Sequence, residues 1–243
     1  SLSLKNAIVF CNCRIFFCEK FNFENYWGGK MIIQQVEPLS IQGMYKITSD
    51  DNSVFFIREE YLKEILLENI FAGAEFTAEE SEELLDAGLT SAVEFKAVEF
   101  LARSEQCRFK LTQKLLDRGF EKTYINICLD YLEKINHLSD RRFATAWLNT
   151  RKINHFEGRT KLLAELQTRG ISKEIAKDAV DEFFALNDEN EICKKAYEKF
   201  YKRGKRDEKL IAAMINAGFS YKKVKEIQNS EFGIQSYELG IRN

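Results

Sequence analysis

Polar and apolar positions follow two different rules along this chain. Residues 32–36, 44–48 and 53–57 are short β-prone runs. Ser49-Asp50-Asp51-Asn52, between the last two, is turn chemistry and predicts a hairpin. The pattern then lengthens. Leu62, Ile65, Leu66 and Asn69 share one face of a predicted helix over 59–69. Thr77 with Glu80 forms a capping-box start for a short acidic helix that should end near Gly88. From Ser91 onward everything reads as helix. The single proline, Pro38, leaves more than two hundred residues without another.

The helical part repeats. FKLTQKLLDRGF, TKLLAELQTRGI and EKLIAAMINAGF align on Gly119, Gly170 and Gly218, which are 51 and 48 residues apart. Eight residues before each glycine stands Leu111, Leu162 or Leu210, and four before stands Leu115, Leu166 or Met214. These two positions lie on one helix face. The glycine supplies the left-handed conformation that ends the helix, and Phe120, Ile171 or Phe219 follows to pack back on it. Nine residues before each glycine is Lys110, Lys161 or Lys209. An amphipathic helix precedes each unit, carrying Val93, Ala97, Phe100 and Leu101, then Phe143, Ala146 and Trp147, then Ile192, Ala196, Tyr197 and Phe200. Another follows each unit, with Ile125, Leu129 and Leu132, then Ile175, Ala179 and Phe183, and a shorter third with Val224 and Ile227.

The predicted fold is therefore mainly α. It consists of tandem three-helix repeats in three units, elongated and curved, preceded by a small α+β segment with a β-hairpin. The segments are 31–90 for the acidic α+β part, 91–137, 138–187 and 188–230 for the repeats, and 231–243 for a C-terminal tail. Residues 1–30 have no sustained period. Trp27-Gly28-Gly29-Lys30-Met31 can be encoded by a purine-rich ribosome-binding sequence ahead of an ATG. The expectation is a translated leader with Met31 as the start, the alternative being a terminal strand or helix that docks on the body.

Charge sharpens this division. Residues 1–90 carry 7 Lys/Arg against 15 Asp/Glu, and residues 91–243 carry 29 against 23, so −8 is followed by +6. That modest excess is no footprint of a dedicated duplex-DNA reader, yet it suits an anionic partner such as a nucleoprotein filament. The apolar stretch 7–23 is interrupted by Asn12, Arg14, Glu19 and Lys20 and lacks a clear cleavage site. No membrane span is expected, and the cytoplasm is the expected location. Cys107, Cys128 and Cys193 fall inside helical patterns as small buried groups. Cys11, Cys13 and Cys18 lack the paired spacing or histidines of a metal site.

Catalytic material is sparse. His137 and His155 sit at helix junctions and read as capping or solvated residues. No phosphate-binding glycine loop and no nucleophile elbow is present, so neither enzyme activity nor a cofactor is expected. Glu79-Glu80 and Glu82-Glu83 read as a solvated acidic face. Basic residues carry the functional expectation: Arg103 in the first repeat, then Arg141, Arg142, Arg151, Lys152, Arg159 and Arg169 in the second. In the third, Lys202, Arg203, Lys205 and Arg206 form the densest basic run. Arg142, Arg151 and Arg169 rank first, because a guanidinium pairs bidentately with carboxylate or phosphate. Ion pairs within the repeats are the other reading of Arg141 and Arg142. Solvated loop charge is the other reading of 202–206. Trp147, Phe143, Tyr197 and Phe200 are assigned to the core.

Leu101-Ala102-Arg103-Ser104, Lys114-Leu115-Leu116-Asp117-Arg118-Gly119-Phe120, Leu138-Ser139-Asp140-Arg141-Arg142-Phe143-Ala144 and Glu165-Leu166-Gln167-Thr168-Arg169-Gly170-Ile171, closing on Ala217-Gly218-Phe219-Ser220-Tyr221, together resemble the RecX family over residues 32–228. The chain departs from that pattern at Cys107, where a capping Ser or Asp is usual, at Lys110 and at Ala217. The resemblance implies a monomeric regulatory protein without catalytic residues. It would lie along the RecA–DNA filament and inhibit ATP hydrolysis, strand exchange and support of repressor self-cleavage in DNA repair and the SOS response. DNA phosphates within the filament are a further expected contact. A helical-repeat protein that binds DNA directly and a protein-binding scaffold are the alternatives.

Overall fold

The computed structural model describes residues 30–238 and divides into two compact units. The leader reading and the Cys11, Cys13 and Cys18 spacing lie outside the described residues, as do the last five residues of the tail.

Of the described residues, the first unit holds Lys30–Ser104 together with Lys110–Leu138. Strands β1 (Met31–Pro38), β2 (Met44–Ser49), β3 (Val54–Arg58) and β4 (Glu75–Phe76) form an antiparallel sheet in the order β3-β2-β1-β4. The predicted hairpin joins β2 to β3, with Thr48 opposite Val54 and Met44 opposite Arg58. Its turn is fixed by Asp51, whose carboxylate accepts from the Ser49 hydroxyl and from the Ser53 amide and hydroxyl. Two expectations change here. No continuous helix covers 59–69. Two short 3₁₀ turns, Glu59–Tyr61 and Leu67–Asn69, flank an irregular stretch. Its successive amides on Lys63, Glu64 and Ile65 all donate to one carboxylate oxygen of Glu83, which replaces helical pairing. Nor does a helix end near Gly88. Helix α1 runs unbroken over Ala78–Arg103, with Gly88 buried against the Phe55 ring, so the glycine serves close packing. Thr77 and Glu80 make the expected capping box.

Helices α2 (Arg108–Leu116) and α3 (Lys122–Lys134) complete the first triplet. Leu111, Leu115, Ile125, Leu129 and Leu132 are buried with Val93 and Ala97 of α1. A buried ion pair ties sheet to helices. Arg58 Nε donates to Glu94 at 2.6 Å, Tyr61 donates to the same oxygen at 2.8 Å, and the guanidinium lies over the Tyr131 ring. Removing one partner of such a pair costs roughly 3–5 kcal/mol, because the other charge stays buried.

Of the described residues, the second unit holds Glu105–Phe109 and Ser139–Glu238. Its helices are α4 (Asp140–Asn154), α5 (Arg159–Gln167), α6 (Lys173–Leu186), α7 (Glu189–Lys202), α8 (Asp207–Asn216) and α9 (Tyr221–Glu238). The last is longer than predicted and runs into the expected tail. Ser139, Ser172 and Asp188 cap α4, α6 and α7 with their side chains. One core spans the second and third triplets, from Leu148, Leu162 and Leu166 to Tyr197, Met214 and Phe219.

The three predicted glycine stops share one conformation. Gly119, Gly170 and Gly218 have φ of +85°, +83° and +92°. In each, the glycine N–H donates to the carbonyl three residues back and the next apolar residue donates five back. The turns also dock in register. The residue before each of the latter two glycines offers its carbonyl to a donor twelve residues before the preceding glycine. Gly158 N–H reaches Ala217 O at 2.8 Å, and Cys107 Sγ reaches Arg169 O at 3.2 Å. At Gly158 the approach is so close that a Cβ would lie 2.2 Å from Gly218 O. Gly158→Ala is expected to lower unfolding stability by about 1–3 kcal/mol, the usual cost of overpacking. Urea unfolding at constant m-value measures it, and an unchanged midpoint would show that the joint yields freely.

Candidate functional site: a cationic groove in the second unit

The second-unit arginines are spent largely on the unit itself. Arg151 donates from Nε to the buried Glu157 carboxylate at 2.7 Å and again through its other arm at 3.1 Å. Lys161 reaches the same carboxylate at 2.9 Å. Arg169 pairs with Glu165, and both Arg151 and Arg169 lie over the Trp147 ring. Arg159 bridges Asp181 and Glu189 and covers Phe184. Arg142 pairs with Glu105 at 2.9 Å and Arg141 with Glu182. In the first unit Arg103 pairs with Glu99 one helical turn away. The Arg103 and Arg141 pairs are well exposed and contribute little. Those of Arg151 and Arg169 are largely covered and fix helix ends.

Of the basic residues singled out in the sequence, those that remain open are Lys152 and the turn between α7 and α8. Lys202, Arg203, Lys205 and Arg206 are all exposed there. Lys205 lies over the Phe200 ring and Arg206 over Tyr201, while Lys152, Lys202 and Arg203 form no ion pair among the described residues. Gly204, at φ +81°, reverses the chain and splits the run into two pairs.

A groove runs from this turn along α7. Three hollows of about 70, 190 and 180 Å³ share His155, Phe156 and Glu157 at one junction and Lys161, Phe200 and Ala217 at the next. Phe156, Phe200, Ala196 and Ala217 give it an apolar floor, and Lys152, Lys161, Lys195, Lys199 and Arg203 stand around it. Lys161 was legible only as a repeated lysine, and Lys195 and Lys199 were not singled out as contacts. The legible signal of the latter two is the spacing of four from Lys195 to Lys199 to Arg203, along α7 and into its C-cap. His155 ends α4 beside the groove. Phe143 and Tyr197 are buried as assigned, whereas Trp147 and Phe200 pack against the core only in part. Cys107, Cys128 and Cys193 are buried, and burial pushes the Cys193 thiol up to about 11.

Glu157 is the electrostatic pivot. Burial pushes its carboxyl up, but hydrogen bonds from Arg151 and Lys161 outweigh that and hold it below the ordinary 4.5. The site offers charge and shape.

Tandem helical triplets, each with its middle helix stopped at a glycine, define a helical-repeat protein. Residues 139–180 match the second three-helix domain of RecX. Over 124 residues the chain is 40% identical to the regulatory protein RecX of Treponema pallidum strain Nichols, covering 51% of this chain and 76% of the relative. It is 24% identical over 204 residues to that of Clostridioides difficile strain 630, covering 79% and 94%. A crystal structure of regulatory protein RecX superposes with a TM-score of 0.66 at 18% identity, over 82% of this chain and 99% of the other. That of RecX from Lactobacillus salivarius gives 0.51 at 21% identity, over 58% and 96%. These two likenesses show a shared fold. The chain belongs to the RecX family.

A group with a depressed folded pKa stabilises the fold above its unfolded value, and that stability is lost as pH falls through the folded value. Glu157→Gln is therefore expected to cost about 2 kcal/mol at neutral pH. The gap from the parent protein should begin to close near pH 4.5 and vanish in stronger acid. Urea unfolding across pH measures this, and a gap that stays constant down to about pH 3 contradicts the assignment.

Proposed function

We propose that this chain is a regulatory protein that binds the RecA–DNA filament and restrains its ATP hydrolysis, strand exchange and coprotease activity. The observation that carries the reading is membership of a family whose relatives bear the name regulatory protein RecX, in a chain with a strip of open cations on its second unit. A nucleoprotein filament is anionic along its length, and repeated helical units can engage several of its subunits at once, raising avidity without strong single contacts. Lys152, Lys202, Arg203, Lys205 and Arg206 are assigned to direct contact. Arg141, exposed on the same unit, can join them, and Arg103 stands exposed on the first unit. Arg142, Arg151, Arg159 and Arg169 hold the surface in shape. No described helix is long and apolar enough to cross a membrane, and cytoplasmic action on the filament is part of the proposal.

The test is RecA-dependent ATP hydrolysis on single-stranded DNA with this protein added. Inhibition is expected near equimolar protein, and none at that ratio would sink the reading. Reversing Lys202, Arg203 and Lys205 to Glu should raise the half-inhibitory concentration about tenfold, near 1.4 kcal/mol of binding, with an unchanged helical signal. Direct capture of DNA would show instead as RecA-independent binding with a steep dependence on salt.

A further inference from the structure

We infer that the groove along α7 takes an acidic amphipathic segment of a partner protein, with apolar side chains on its floor and carboxylates on its lysine rim. The inference deepens the proposed function and rests on the second unit being the partner-binding surface. Three observations carry it. First, charge and apolarity are layered. Phe156 and Phe200 pack against the core and form the floor, whereas Lys195 and Lys199 of α7, Arg203 at its C-cap and Lys152 of α4 line the hollows. A helix laid in a groove presents such layers, its anchor residues inward and its charges at the margin. Second, Lys195 and Lys199 stand four residues apart on α7, a rise of about 6 Å, with Arg203 at its C-cap, which matches glutamates at the same spacing on a facing helix. Third, the aromatic faces are already used. Lys199 lies 5.5 Å from the Phe156 ring centre and Lys205 lies 5.0 Å from that of Phe200, with the core behind both rings. Single-stranded nucleic acid is held by bases stacked on open aromatic faces. This floor offers hollows of about 70–190 Å³ instead, suited to Leu or Phe side chains. The one carboxylate in the groove, Glu157, is neutralised by Arg151 and Lys161 and so does not repel an acidic segment.

The full chain is titrated, without RecA, into a fluorescein-labelled helical peptide. The peptide has Leu at every third or fourth position and Glu elsewhere, and anisotropy reports binding. A peptide with each Leu replaced by Ser and a labelled oligo-dT of equal charge are the comparisons. The Leu/Glu peptide should bind saturably at one per chain, at least tenfold tighter than either comparison. Lys195→Glu with Lys199→Glu should weaken it tenfold or more at an unchanged circular dichroism spectrum. The Arg versions of the same two positions should retain it. Equal binding of the Ser peptide would reduce the groove to unspecific charge and overturn the inference. Displacement of the Leu/Glu peptide by oligo-dT would assign the groove to nucleic acid and overturn it too, as would a double Glu variant that binds like the parent. Because RecA is absent, a failed ATPase inhibition leaves a positive peptide result standing, and a failed peptide result leaves the inhibition standing.

Discussion

The second unit depends on a backbone contact. A helix that ends in a left-handed glycine turns its last carbonyls outward, and the one just before the glycine is presented for an external donor. Here that carbonyl meets the segment that opens the preceding middle helix. Ala217 O receives the Gly158 amide, and Arg169 O receives the Cys107 thiol. Both donors stand twelve residues before a repeat glycine, so one geometric rule covers both joints. Backbone contact of this kind leaves little freedom in register. It therefore sets where the side chains of one triplet face the next, and with them the position of Phe156, Glu157 and Lys161 opposite α7 and α8.

Electrostatics then follows packing. Once the Gly158 joint is closed, Glu157 is buried beside it and must be neutralised; an unpaired buried carboxylate would cost more than the fold can spare. Arg151 from the end of α4 and Lys161 from the first turn of α5 do so together. The same logic governs the first unit, where Arg58 and Glu94 are buried as a pair with Tyr61 and Tyr131 around them. The arginines that look most available in the sequence are thus those most engaged in the structure. Lysines, strongly hydrated and on flexible stems, stay at the rim.

This explains what could be read in advance. The glycine stops, the leucines behind them and the hairpin are local patterns of period four or two, and residues near in sequence decide them. The break expected at Gly88 and the helix expected over 59–69 failed for nonlocal reasons. Phe55 needed a glycine opposite it, and Glu83 offered its carboxylate to three amides about twenty residues away. The arginine roles were equally hidden, since Arg142 meets Glu105 and Arg141 meets Glu182, each about forty residues off. The groove was hidden because Lys161 and Lys199 come from different helices and line one hollow only once the joint is formed.

The third triplet differs at the position that made the joints. Twelve residues before Gly218 stands Arg206, where its counterparts are Cys107 and Gly158. At Gly158 a methyl group would press on the Gly218 carbonyl, whereas Arg206 carries a full side chain that lies 3.6 Å from the Tyr201 ring centre. Its guanidinium donates to the carbonyls of Tyr201 and Lys205. The carbonyls freed by the end of α7 are met by a local cation, which a helix C-terminus favours. A site so filled is not shaped to receive another glycine turn. Lys202, Arg203, Lys205 and Arg206 crowd that one turn, so the capping of α7 and the accumulation of open positive charge beside the groove have one physical origin.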